Sequence, residues 1–219
     1  MKNVRLKYAS IAFATLIMLG ACNGNQQEKH NHAQMEEDPN DTEDTMHEQH
    51  ESIRDNFVHQ DIIILEDSYK VETAVSLQLK EVVNAYLEMK NALVNDNATE
   101  VDKVVAKMTQ KILEVDGSSL QGEGASTWQQ HASLYSEKLT ELKHSEGIDE
   151  KRSYFSHISE IIYCTVKSFD FKEDMELYAI YCPMAFDGKG AYWIAETKEI
   201  NNPYFGSKML KCGEIKEIL

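Results

Sequence analysis

Between residues 79 and 169 the apolar positions recur at three- and four-residue steps, the spacing that gathers side chains on one side of a helix. Leu79, Val82, Val83, Tyr86, Met89 and Leu93 make the first stripe, which Asn95-Asp96-Asn97 closes. Val101, Val104, Val105, Met108 and Ile112 make the second, with Asn97 placed as an N-cap and Glu100 three residues on. Asp116-Gly117-Ser118-Ser119 then interrupts the pattern. A third helix is expected from about Thr127, with Trp128, Ala132, Tyr135, Leu139 and Leu142 on one side, and after Gly147 a fourth carries Ile148, Phe155, Ile158, Ile162 and Phe169. Four amphipathic helices on short connections bury their stripes most economically as an up-and-down four-helix bundle. Met89 and Met108 lie on the stripes and read as core.

The period changes on either side of this region. Ile62-Ile63-Ile64-Leu65 is a short apolar run, a strand or a buried lead-in, and the folded domain is expected to start near residue 57. Past Phe171, Leu177-Tyr178-Ala179-Ile180-Tyr181 and Ala191-Tyr192-Trp193-Ile194 read as two short strands or extended segments around Asp187-Gly188-Lys189-Gly190. Asn201-Asn202-Pro203-Tyr204-Phe205-Gly206 supplies a turn, and a short polar helix or tail is expected to end the chain. The fold class is therefore mainly α: a four-helix bundle with a small C-terminal extended or β-hairpin element. Residues 57–219 are enough for one domain with its own core.

The N-terminus is of another kind. Lys2, Arg5 and Lys7 precede an almost wholly apolar run from Ala9 to Leu19, the pattern of a signal peptide and too short for a spanning helix. The run ends in Leu19-Gly20-Ala21-Cys22, which resembles the bacterial lipobox; the resemblance implies that residues 1–21 are removed and that Cys22 is lipidated on its thiol and its amine. Several acyl chains would make a stable membrane anchor. The expected location is the cell envelope, with the body tethered to a membrane, the outer membrane favoured, and facing the periplasm. Loss of residues 1–21 removes three of 22 basic residues and none of 37 acidic ones, leaving 19 against 37, a net charge of −18. Such a chain is repelled by nucleic acid, which is excluded as a partner.

Residues 22–56 are acidic and polar with few apolar groups, the composition of a disordered tether. They hold four of the eight histidines and two of the nine methionines: His30, His32, Met35, Met46, His47 and His50. Imidazole and thioether are transition-metal ligands, so this tract reads as a weaker metal-binding segment. Absence of a Gly-rich phosphate loop, a Gly-x-Ser-x-Gly elbow and a His-Glu-x-x-His pair argues against an enzyme.

Three cysteines remain beyond Cys22. His157 and Cys164 sit where they share a helix face, and Cys164 reads as a buried apolar thiol. Cys182-Pro183-Met184 and Met209-Leu210-Lys211-Cys212 set two thiols and two thioethers around one small element. Thiolate and thioether sulfur are soft donors that suit Cu(I). A disulfide between Cys182 and Cys212, permitted in an oxidising compartment, is the open alternative.

Tyr181-Cys182-Pro183-Met184-Ala185, Gly190-Ala191-Tyr192-Trp193-Ile194, Ile200-Asn201-Asn202-Pro203-Tyr204-Phe205-Gly206 and Met209-Leu210-Lys211-Cys212-Gly213 together resemble the C-terminal signature of a bacterial domain family of unknown function. Tyr86 to Val94 is a looser match, and the likeness runs over roughly residues 76–213. Members stand alone in periplasmic lipoproteins or at the end of heavy-metal efflux adaptor subunits. The resemblance implies a helical domain tied to copper resistance, with Cys182, Met184, Met209 and Cys212 at the motif positions. Cys-Pro-Met is also similar to heavy-metal-binding segments of copper transporters, although those place His where this chain has Ala185. The expected function is a lipoprotein that binds or buffers a soft metal, copper first, as an accessory to an efflux adaptor or pump. The competing expectation is a non-metal interaction module whose C-terminal cysteines form a structural disulfide.

Overall fold

The computed structural model describes residues 53–219. The signal segment, Cys22 and the candidate tail ligands His30, His32, Met35, Met46, His47 and His50 lie outside the described residues.

The protein is mainly helical with a small C-terminal sheet. A two-residue strand β1 (Tyr69–Lys70) leads into four long helices, α1 (Thr73–Val94), α2 (Ala98–Glu114), α3 (Gly122–His144) and α4 (Ile148–Ser168). Strand β2 (Phe169–Asp170) follows, and then β3 (Tyr178–Cys182), β4 (Ala191–Ala195) and β5 (Glu214–Ile218). Each long helix packs on the next, and α4 returns against α1. The apolar stripes drive this arrangement: Leu79, Val82, Val83, Tyr86, Met89 and Leu93 of α1 are closed to solvent, as are Val101, Val105 and Met108 of α2. Tyr135, Leu139, Leu142, Phe155, Ile158 and Ile162 complete the same core. Met89 and Met108 are core residues as expected.

Local signals fix the ends. The Asn97 side chain accepts from the Glu100 N–H at 3.0 Å, the cap expected for α2. Asp116 caps the 3-10 turn Gly117–Ser119 in the same way. Helix α3 starts at Gly122, five residues before the expected Thr127. Its first turn holds two glycines and no apolar anchor, so its formation depends on tertiary contact: Tyr69 Oη accepts from the Gln121 N–H at 3.1 Å, and the Tyr69 ring lies where a Gly124 Cβ would meet it at 2.6 Å.

The run 62–65 is a lead-in, not a strand. Ile62 enters the core, while the Ile63 and Leu65 N–H groups donate to Gln130 Oε1 (2.8 Å) and Ser168 Oγ (3.2 Å). Ile53, ahead of the boundary expected at 57, is also in the core. A two-residue parallel bridge joins β1 to β2.

The expected β-hairpin is present as β3–β4, paired antiparallel from Tyr178↔Ala195 to Cys182↔Ala191. The chain end, expected as a polar helix or tail, is instead the third strand of this sheet: the order is β4-β3-β5, with β5 antiparallel to β3. Glu214 to Ile218 offers little apolar patterning, and what recruits it is the otherwise open edge of β3, whose backbone groups need partners. No described helix is long and apolar enough to cross a membrane.

Candidate functional site

The β3–β5 pairing determines where the two C-terminal cysteines go. Tyr181 lies opposite Glu214, so the next residue of β3, Cys182, falls beside the turn that precedes β5. Cys212 stands in that turn, and the two sulfurs are 2.9 Å apart. Both are free thiols, Cys182 buried and Cys212 half-buried. Burial together with the neighbouring Cys182 sulfur pushes the Cys212 thiol up to about 11, while its hydrogen bond from the Met184 backbone N–H pulls the other way. At neutral pH Cys212 is therefore a protonated thiol.

The loop 200–212 is held by the residues of the Asn-Pro-Tyr-Phe-Gly motif. Asn202 Oδ1 accepts from the Tyr204 N–H (2.8 Å), and its Nδ2 donates to the Cys212 carbonyl (2.6 Å). The Asn202 N–H donates to Leu210 O at 2.8 Å, closing the loop a second time. Tyr204 Oη donates to the Tyr192 carbonyl of β4. Arg152 of α4, almost wholly buried, donates from Nε to Pro203 O (2.9 Å) and from Nη2 to Asp96 Oδ1 (2.5 Å). Asp96 in turn accepts from the Ser207 N–H and hydroxyl, at 3.1 and 2.7 Å. These Ser207 bonds, with Arg152 next, hold the Asp96 carboxyl at about 2. Gly206, at φ +54°, passes this network so closely that a Cβ would lie 2.2 Å from Asp96 Oδ1. The motif thus fixes the second cysteine beside the first.

The other predicted sulfur ligands are placed differently. Met184 is 55% exposed and Met209 37%, in contrast to the buried Met89 and Met108. Cys164 is buried, and burial raises its pKa, as expected for an inert core thiol. His157 has His59 and Glu160 as neighbours.

That second group went unread in the sequence. Among the described residues, His59, His157 and Glu160 are the one set of three His, Cys, Asp or Glu side chains whose ligand atoms converge, all within 4.8 Å of one another. His157 and Glu160 are one turn apart on α4, and His59 comes from the lead-in segment. Arg54 shapes that segment, donating from Nη2 to Gln60 O and Ile62 O, each at 3.1 Å. Glu160 accepts from the Val58 N–H at 2.8 Å and the His59 N–H at 3.1 Å. The imidazole rings of His59 and His157 meet edge to face, centroids 4.7 Å apart. Desolvation raises Glu160 to about 7 and lowers His157 to about 4. The His-x-x-Glu spacing was visible in sequence; His59, 98 positions before His157, was not connected to it by any local pattern.

A family model described as "Protein of unknown function (DUF3347)" matches residues 82–174. No curated protein and no solved structure matches the chain. The matched segment runs from within α1 to just beyond β2 and stops short of β3, so it takes in most of the helical part and leaves the Cys/Met motif outside. Residues 82–174 of this chain are accordingly similar to a domain family of unknown function.

Proposed function

We propose that this chain is a lipid-anchored protein of the cell envelope, facing the periplasm, that binds a soft metal ion, copper(I) first, as an accessory to metal efflux. In this reading α1–α4 act as an up-and-down four-helix bundle, a rigid support for a site made by Cys182 and Cys212 with Met184 and Met209 as weaker donors. The observation that carries it is the contact of two sulfurs that are 30 residues apart, 2.9 Å from each other, with an exposed methionine close in sequence to each. Methionine at the surface gains nothing from packing, so exposure at both motif positions favours a donor role over a core role. Two soft anionic ligands and two soft neutral ones fit copper(I).

Uptake would displace protons, because Cys212 is held as a thiol; affinity should rise with pH. It would also spread the sulfurs, since two thiolates on one metal at ~2.3 Å bonds stand wider apart than 2.9 Å. Cys212, in a turn and half-buried, is the side that can rotate. The short separation favours a second reading, a structural disulfide in a non-metal interaction module.

Titration of the reduced full chain with Cu(I) against a chromogenic chelator separates the two. One tightly held Cu(I), lost in Cys182→Ser and in Cys212→Ser, is the expected result. No tight uptake by the reduced chain, with mass spectrometry finding the native pair oxidised, overturns the metal reading and leaves the disulfide.

A further inference from the structure

We propose that His59, His157 and Glu160 form a binding site for one divalent transition-metal ion of the zinc class, held by two imidazole nitrogens and one carboxylate oxygen, with a coordination position open to the cleft beside it. This site uses none of the sulfur ligands, so it stands or falls independently of the copper reading.

Convergence comes first. The three ligand atoms lie within 4.8 Å of one another. Donors around a tetrahedral ion with bonds of ~2.0–2.2 Å sit roughly 3.3 Å apart, so small rotations about the ends of three side chains close the site. Both histidines present a ring nitrogen in want of a partner: His59 Nε2 and His157 Nδ1 are shielded from solvent and make no hydrogen bond. A buried nitrogen without a partner is costly, and a metal ion takes its lone pair directly.

The carboxylate is arranged to complement them. Each oxygen of Glu160 already accepts one backbone N–H, from Val58 and His59. Each retains a second lone pair, so these bonds aim the group without exhausting it. They also tie His59 to Glu160, which makes the loop ligand part of the same unit. Glu160 is buried with no Lys or Arg ion pair described for it, and a bound cation supplies the missing positive charge. Lys138, whose charge acts on His157, is engaged with Glu137 and Glu141 at 2.8 and 3.1 Å.

Access and selectivity follow from position. A cleft of about 340 Å³, bordered by Ser153, Ser156, His157, Glu160, Lys189 and Tyr192, reaches the site from the β3–β4 turn, room for a water or a small anion as fourth ligand. Two imidazoles and one carboxylate suit zinc, and nickel or copper in the divalent state, but not calcium or magnesium, which require oxygen ligands.

The test uses the full chain with Cys182→Ser, Cys212→Ser and His30, His32, His47 and His50→Gln, so that the other candidate ligands are silent. Calorimetry with Zn²⁺ should find one site, and Co²⁺ should give visible d–d bands of nitrogen and oxygen ligation without a thiolate charge-transfer band. His157→Gln and Glu160→Gln should each weaken Zn²⁺ by more than about 10-fold. His59→Gln, on the lead-in segment, should do the same and serves where a change on α4 unfolds the protein. Failure of the folded background protein to take up Zn²⁺ or Co²⁺, or uptake that His59→Gln leaves unchanged, overturns the site. Neither result bears on Cu(I) binding by the cysteines.

Discussion

Replacing Tyr86 with Phe tests what joins the helices to the sheet. The Ile194 N–H points away from β3 and donates to Tyr86 Oη at 3.0 Å; Tyr86 Oη lies 2.8 Å from Ser159 Oγ, and Ser159 Oγ donates to the Phe155 carbonyl at 2.9 Å. One assignment of protons satisfies the whole chain, Ile194 to Tyr86 to Ser159 to Phe155. All of it is closed to water. Phe preserves the ring stacked on Phe155 at 5.1 Å, so packing is kept and only the oxygen is lost. The Ile194 N–H is then orphaned in the interior, at a cost of about 1–3 kcal/mol. For a protein of this size each kcal/mol lowers Tm by roughly 2–4 °C, so a central cost of about 2 kcal/mol lowers it by about 4–8 °C. Urea unfolding followed by far-ultraviolet circular dichroism should show a lower midpoint at unchanged slope. Hydrogen exchange should be faster at the Ile194 amide. Ser159→Ala, which leaves the Ile194 bond in place, should cost less. A Tyr86→Phe protein with the wild-type midpoint and wild-type exchange at Ile194 would refute the reasoning.

Asn202→Ala removes the donor to the Cys212 carbonyl and the acceptor for the Tyr204 N–H; it should cost about 1–3 kcal/mol and, at equal folding, slow disulfide closure between Cys182 and Cys212 under mild oxidant. Thiol trapping that finds closure as fast as in the wild type would refute this placement of the loop. His131 is buried, with Nε2 donating to Ile63 O (2.8 Å) and Nδ1 3.1 Å from Thr165 Oγ1, and burial lowers its pKa to about 4. The unfolded chain takes up that proton near the ordinary 6.5, so the His131 contribution is present above 6.5 and is lost as pH falls toward 4. Glu160, raised to about 7, works in the opposite sense, so the measurement is a difference: the stability gap between wild type and His131→Asn should narrow from pH 7 to pH 5, and a constant gap rules the effect out. Cys22→Ala should abolish lipid attachment and release the chain from membranes; a variant that stays membrane-bound after signal removal would place the anchor elsewhere.

The sequence alone determined the parts whose causes are local. The four helical stripes, the Asn97 cap, the break at Asp116 and the β3–β4 pair follow from periodicity and turn chemistry within a few residues; the buried Met89 and Met108 follow from their positions on those stripes, and the buried Cys164 from the apolar character of a free thiol. Tertiary structure decided what needs a partner from far along the chain. The first turn of α3 forms because the Tyr69 ring covers Gly124, and 214–218 is a strand because β3 had an edge to complete. That Cys182 and Cys212 meet was legible as a possibility in the spacing of the motif; the contact itself depends on the β3–β5 register and on Asn202, Arg152 and Asp96 bracing the loop. The convergence of His59 on His157 and Glu160 was illegible, because a ligand set drawn from a loop and a helix about a hundred residues apart leaves no period in the sequence, and only the packing of residues 53–65 against α4 brings the three together.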